Sequence, residues 1–358
     1  MNAHDSDPAG PDTPAVLVDL DIVRRNIRRF QDYADAHGFR VRPHIKTHKL
    51  PQVAAMQLAA GAVGITCQKV SEAEAMVAGQ GGLTDVLITY NILGSEKTDH
   101  LRALARKVRL GVVADNAVVI DGLSAAFAAE ADPLRVLVEC NTGADRCGVA
   151  TPEEALALAR RIEAAPGLVF GGLMTYPPVN GAAAVQAFMT RAKALIEADG
   201  IAVPEVSSGG TPSMMSAADA PVATEYRPGT YVYNDRSLVA RAVCGWQDCA
   251  LNVLATVVSV PAPNRAIIDA GSKALTSDLL GLTGYGHVLG RDDIVIDQLS
   301  EEHGRLVSSG PIGLEVGEKI RIVPNHACVV TNLVDAVHVF EGGRQVGTWP
   351  VVARGRIT

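Results

Sequence analysis

The chain has 358 residues, more than one compact core ordinarily holds, so two domains are the starting expectation. Hydrophobic residues make up 48% and charged residues 20%, the balance of an ordinary globular, enzyme-sized protein. A net charge of −7 without a long basic run argues against nucleic acid as a partner, and no apolar stretch is long enough to span a bilayer.

Residues 1–13 are polar and lack a basic segment followed by an apolar run. They read as a disordered lead-in rather than a secretory signal. Residues 14–20 carry a strand-like run, Ala15–Leu20, that precedes the main repeat and is assigned to a later β-rich domain. Eight strand-like segments follow: Val41–Lys46, Gly64–Gln68, Asp85–Tyr90, Arg109–Asp115, Arg135–Asn141, Val169–Tyr176, Glu205–Gly210 and Ala223–Tyr231. Several are near-continuous apolar runs, as strands buried on both faces should be. Ala- and Leu-rich amphipathic stretches separate them, among them Ser71–Gly79, Ser95–Lys107, Pro152–Ala165 and Ala182–Asp199. Thr151-Pro152-Glu153-Glu154 has the composition of a helix start. Residues 21–235 are therefore expected to form an α/β fold of the (β/α)8 TIM-barrel type. From 236 to 358 the helical period disappears. Ala250–Val260, Arg265–Ala270, Glu318–Val323, Val334–Phe340 and Gln345–Val352 alternate between Gly, Pro and Asn turns, which predicts a β-rich second domain.

Chemistry in such a barrel sits at the C-terminal ends of the strands. Lys46 closes the first predicted strand beside His44 and His48. A partly desolvated lysine near other cationic groups can have a lowered pKa and can then form a Schiff base. Its competitor, Lys49, is assigned to the following helix and to solvent. Gln68 ends the second strand. Ser208-Gly209-Gly210-Thr211 follows the seventh strand and opens a helix, a place where barrels hold phosphate on backbone N–H groups. Arg146, in the loop after the fifth strand, has the planar fork for a carboxylate or cofactor oxygen. Tyr176, Tyr231 and Tyr233 lie at or beyond strand ends and suit a cofactor wall or a phosphate contact.

In Pro324-Asn-His-Ala-Cys328, an extended backbone would point His326 and Cys328 to one face, roughly 6–7 Å apart at Cα. Nitrogen plus sulfur favours zinc over magnesium or calcium, and two protein ligands leave positions open for water or substrate. Each of these patterns also has a plain reading: a solvated lysine, a glycine turn, an Arg146–Asp145 surface pair, core tyrosines, a packed His-x-Cys. His287 and His303 read as surface histidines. The six cysteines contain no CxxC pair and, without a signal sequence, read as free thiols in a reducing cytoplasm.

At Pro43-His-Ile-Lys-Thr-His-Lys49, Arg146-Cys-Gly-Val149, Ser208-Gly-Gly-Thr-Pro212, Asp269-Ala-Gly-Ser-Lys273 and Pro324-Asn-His-Ala-Cys328, the chain resembles the D-threonine aldolase and D-serine dehydratase family of pyridoxal-phosphate enzymes. That family has the alanine-racemase-like fold, fold type III. The resemblance runs from about Thr13 to Arg354. It implies that Lys46 holds pyridoxal phosphate as a Schiff base, with His44 and Gln68 nearby, and that Ser208, Gly209, Gly210, Thr211 and Tyr233 bind the cofactor. Arg146 and Tyr176 would contact ring or substrate, and His326 and Cys328 would bind zinc or manganese. It further implies a small-molecule D-amino-acid substrate and a homodimer. Two departures bear on the reaction. His326-Ala-Cys328 looks more like the dehydratases than the aldolases, which tend to carry an aspartate as second ligand. Aldolases also tend to have a histidine shortly after the tyrosine ending strand six, whereas here Pro-Pro-Val-Asn-Gly follows Tyr176. Dehydration and deamination of a β-hydroxy-D-amino acid is therefore favoured over retro-aldol cleavage. Racemisation and a non-catalytic cofactor-carrying role are the remaining alternatives.

Overall fold

The computed structural model describes residues 10–79 and 82–358, so residues 1–9 of the expected lead-in lie outside it. The strands are β1 (Ala15–Asp19), β2 (Arg40–Val41), β3 (Ile65–Cys67), β4 (Asp85–Ile88), β5 (Arg109–Ala114), β6 (Leu134–Cys140), β7 (Leu168–Thr175), β8 (Val206–Ser208) and β9 (Glu225–Tyr226). There follow β10 (Leu251–Ala262), β11 (Arg265–Ile268), β12 (His287–Val288), β13 (Ile294–Leu299), β14 (Gly304–Ser308), β15 (Lys319–Val323), β16 (Ala336–Glu341) and β17 (Arg344–Pro350). The helices are α1 (Leu20–His37), α2 (Pro51–Ala59), α3 (Val70–Ala78), α4 (Ser95–Ala105), α5 (Ala117–Phe127), α6 (Pro152–Ala164), α7 (Ala182–Ala198), α8 (Arg236–Ala240), α9 (Ser272–Leu275) and α10 (Ala327–Leu333). Two compact units result. Among the described residues, one comprises 28–46, 51–79, 82–229 and 355–358; the other comprises 10–27, 47–50 and 230–354.

The first unit is the barrel. β2 to β9 form one parallel sheet in the order β2-β9-β8-β7-β6-β5-β4-β3. A parallel bridge between His44 and Thr66 joins its ends, with Val63 N–H donating to Val41 O at 2.9 Å and Thr66 N–H to Pro43 O at 2.8 Å. Eight α/β repeats thus close on themselves, as the sequence pattern predicts. The helices start where their caps dictate. Thr151 and Glu154 form a reciprocal capping box at α6, and Asn116 accepts from Val119 N–H at α5.

The barrel interior is layered. At the strand starts, the buried Arg42 donates to Glu225 at 2.8 Å and to Asp85 at 2.6 Å, while Arg135 pairs with Asp85 and Glu205. Burial, with the neighbouring Glu225 carboxylate, pushes Glu205 above the usual carboxylate range. Above this ionic floor, Leu87, Val113, Leu137 and Met174 pack as an apolar cluster. The strand ends beyond that cluster carry the polar residues described below. Stability at one end and chemistry at the other is the division expected of this fold.

In the second unit nine strands form one sheet, ordered β13-β14-β11-β10-β1-β16-β17, with β15 pairing β10 and β12. The early strand β1 joins it as predicted, antiparallel to β10 and parallel to β16. α1, β12, β13 and β14 are not among the elements predicted from the sequence. The first and eighth predicted barrel strands are reduced most, to Arg40–Val41 and Glu225–Tyr226. Pro43 has no N–H for a ladder and the chain turns into a 3-10 segment at Ile45–Thr47. The eighth strand stops before Pro228, after which Thr230–Val232 is also 3-10. No helix among the described residues is long and apolar enough to cross a membrane.

Candidate active site

Lys46 sits in the 3-10 turn just past β2, not on the strand itself. It is half-buried, and among the described residues its Nζ makes no hydrogen bond or ion pair. A short relay braces the turn. Lys46 N–H donates to His44 Nδ1 at 3.4 Å, so the neutral ring carries its proton on Nε2. Nε2 lies 3.1 Å from Gln68 Oε1, and Gln68 Nε2 donates to Thr89 O at 3.0 Å. His44 and Gln68 therefore support the lysine turn. Lys49 departs from its expectation. It precedes α2, has a left-handed backbone (φ 53°) and is only 5% exposed. Its Nζ donates to Asn332 Oδ1 at 2.7 Å and to Ala353 O at 3.1 Å, so it is a buried structural cation, not a solvated one.

Ser208 ends β8, and Gly210 caps the 3-10 segment beginning at Thr211. Among the described residues, neither the Gly209 nor the Gly210 N–H finds a backbone acceptor. Gly210 has φ 141°, and a Cβ there would face Tyr176 Cε2 at 3.7 Å. At Gly209 a Cβ would meet Arg227 O at 2.8 Å and Arg227 N at 3.0 Å. The two glycines thus combine close packing on one side with open N–H donors, flanked by buried Ser208 and Thr211. This donor set fits a phosphate. Gly209→Ala should cost about 1–3 kcal/mol of stability by overpacking and weaken cofactor affinity several-fold. Thermal unfolding of the cofactor-free protein and a pyridoxal-phosphate titration check the two effects separately.

Arg146 is exposed, and its guanidinium stacks on the Tyr176 ring, 4.4 Å from the centroid. It does not pair with Asp145, whose carboxylate accepts from Asn141 Nδ2 at 3.0 Å. Tyr176 is 42% exposed. Tyr231 is a buried core residue. Two barrel residues given no role from the sequence also lie here. Arg227, buried, donates to Ser207 Oγ at 2.8 Å and Thr175 O at 2.5 Å. Glu139 lies at the end of β6; burial and Asp115 push its pKa up, opposed by Arg146 and Arg227. Their signal in the sequence is strand alternation: Glu225 and Arg227 share one face of their segment, as do Leu137 and Glu139.

The metal-ligand candidates lie in the β-rich unit. His326 is the extended residue before α10, and Cys328 lies in that helix's first turn. The extended geometry predicted for this pair is therefore replaced by a helix start. The cause is Asp235, whose Oδ2 accepts Ala327 N–H at 3.1 Å while Oδ1 caps α8 at Leu238 N–H. The two side chains nevertheless meet. His326 Nδ1 is 2.7 Å from Asp278 Oδ2, and Cys328 lies close enough to the ring to act on its charge. Burial opposes the charged ring, but Cys328 and Asp278 outweigh it and push His326 up to about 9. Thr47 Oγ1 and Thr230 Oγ1 lie 3.1 and 3.4 Å from Cys328 Sγ. Among the described residues, no group of three or more His, Cys, Asp and Glu side chains surrounds a common point. An imidazole and a thiol sulfur near one another fit a divalent ion such as zinc.

Tyr233 is fully buried, and its hydroxyl has no partner among the described residues. Burial and the nearby Cys328 push its pKa up. An orphaned buried hydroxyl fits a donor awaiting a ligand. His287 is not a plain surface residue: it stacks on Trp246 at 3.9 Å and 11°, and burial lowers its pKa. His303 is exposed, as expected. All six cysteines are free, with Cys67, Cys140 and Cys249 buried.

Comparison with known proteins agrees with this architecture. The family described as "Alanine racemase, N-terminal domain" matches residues 18–237, and that described as "Putative serine dehydratase domain" matches residues 250–340. A D-threonine aldolase of an Arthrobacter species is 36% identical, covering 99% of this chain and 96% of its own. A D-threo-3-hydroxyaspartate dehydratase of Delftia is 33% identical over 94% of this chain and 96% of its own. The crystal structure of D-threonine aldolase from Filomicrobium marinum superposes with a TM-score of 0.90 at 36% identity, covering 97% of both chains. A D-threo-3-hydroxyaspartate dehydratase has been solved as a histidine-to-alanine variant and as a cysteine-to-alanine variant two positions further on, the latter in the metal-free form. With its closed eight-stranded barrel, its β-rich second unit and these matches, the chain belongs to the alanine-racemase-like, fold-type III family of pyridoxal-phosphate enzymes.

Proposed function

We propose that the protein is a pyridoxal-phosphate- and divalent-metal-dependent lyase that dehydrates and deaminates a β-hydroxy-D-amino acid. The observation that carries the choice of reaction is the His326–Cys328 pair. A histidine and a cysteine two positions apart is also the pair varied in the D-threo-3-hydroxyaspartate dehydratase, whose cysteine variant is described as metal-free.

The roles follow from the chemistry of each side chain. Lys46, whose amine is uncommitted among the described residues, would hold the cofactor covalently and afterwards take the α proton on Nζ. The Gly209–Gly210 N–H groups with Ser208 and Thr211 hold its phosphate, and Tyr233 supplies a further hydroxyl donor. Arg146, braced on Tyr176, holds the substrate carboxylate or a cofactor oxygen. His326 and Cys328 hold zinc or manganese. When bound, pyridoxal phosphate supplies an electron sink for the α carbon, and the metal supplies a Lewis acid for the β-hydroxyl. The free thiols suit a reducing compartment, and we place the enzyme in the cytoplasm as a homodimer.

Retro-aldol cleavage is the second reading, favoured by the D-threonine aldolase resemblance. That reaction must remove the β-hydroxyl proton, and the sequence after Tyr176 offers no histidine for it. Incubation with D-threonine, pyridoxal phosphate and zinc or manganese separates the readings. We expect ammonia and 2-oxobutanoate. Glycine with acetaldehyde would establish aldol cleavage instead, and formation of L-allo-threonine without a carbonyl product would establish a racemase-type inversion at the α carbon.

A further inference from the structure

We propose that Asp278 is a positioning residue for the metal: by holding His326 at Nδ1, it presents Nε2 to the ion. This rests on the reading of His326 as a metal ligand. The contact is short, 2.7 Å between Nδ1 and Oδ2. A carboxylate accepting from Nδ1–H fixes the tautomer whose lone pair lies on Nε2, fixes the ring's orientation and raises its basicity as a ligand.

Asp278 is itself held in place. Its carbonyl accepts from Asn325 Nδ2 at 3.0 Å, and Asn325 immediately precedes His326. Asn325 is buried and also donates to Gly284 O at 2.8 Å, while its Oδ1 accepts from Arg236 Nη1 at 3.0 Å. Asp278 N–H donates to Thr276 Oγ1 at 3.2 Å. On both sides of the aspartate the backbone adopts left-handed conformations at non-glycine residues, Thr276 (φ 66°) and Leu280 (φ 49°). Such conformations are costly for residues with a side chain, and the surroundings must over-determine the segment to keep it. One asparagine thus sets the distance between the aspartate's segment and the histidine's. The carboxylate is 42% exposed and the imidazole 28%, so general stability alone would gain little from the pair.

The test uses the full-length, cofactor-loaded protein stripped of metal, with zinc affinity measured by competition against a chromogenic chelator. Asp278→Ala should weaken zinc binding by about 10–100-fold. Asp278→Asn should recover most of the loss, because the amide oxygen still accepts from Nδ1–H. In an H326A background, Asp278→Ala should have no further effect. Circular dichroism and cofactor absorbance verify that each variant is folded, and D278N carries the test if D278A is not. Zinc affinity within twofold of wild type in D278A, with H326A impaired, would overturn the positioning role and leave His326 a ligand. D278N as damaging as D278A would overturn it too, making the carboxylate a direct ligand. Unchanged affinity in H326A would remove the metal reading beneath both.

Discussion

Lys46→Ala should lower turnover of any β-hydroxy-D-amino acid by about 10³-fold or more, since it removes both the covalent anchor and the α-proton acceptor. The physical case is the contrast between two lysines three residues apart. Lys49 is buried and its amine is committed to Asn332 and Ala353. Lys46 is half-buried, stands past the end of a barrel strand and keeps an uncommitted amine among the described residues. Borohydride treatment of the loaded wild-type protein, followed by peptide mass analysis, should find the cofactor's mass on the peptide containing Lys46. The signal should vanish in K46A and persist at Lys46 in a Lys49→Met protein. Full turnover by K46A, or cofactor fixed at Lys49, would defeat the assignment.

The second large effect lies at the opposite end of the barrel. Arg42→Met should destabilise the protein by about 3–5 kcal/mol, the usual result of removing one partner from a buried ion pair. Arg42 is 2% exposed and faces both Glu225, itself fully buried, and Asp85. Without the guanidinium, two carboxylates are left in a low-dielectric site that already contains Glu205. A neutral methionine fills the volume but satisfies neither. Chemical denaturation monitored by circular dichroism measures the loss directly. A change below about 1 kcal/mol would mean that Arg135 and Arg40 compensate.

The barrel was readable from the sequence because eight doubly buried strands alternate with amphipathic helices, and each signal is local. What escaped depends on distant partners. His326-Ala-Cys328 has no intrinsic preference between strand and helix start; Asp235, 92 residues away, decides it by capping Ala327. Lys49 reads as solvated because its partners, Asn332 and Ala353, are more remote still. β13 and β14 are short, and their outward positions are polar or charged, as at Asp297 and Arg305, which pair with each other. Asp278 carries no motif at all and acquires its significance only from the 2.7 Å contact with His326.

β1 has a consequence for how the protein comes into being. It lies between β10 and β16, with Ala15 opposite Leu254 and Leu17 opposite His338. During synthesis, this apolar strand leaves the ribosome well before both of its neighbours, β10 (Leu251–Ala262) and β16 (Ala336–Glu341). The barrel, whose strands pair with near neighbours in sequence, can assemble while β1 still lacks a partner. Closing the second sheet is the long-range, slow step. Until it closes, the nascent chain presents an open apolar edge, the feature that chaperones recognise and that aggregation exploits.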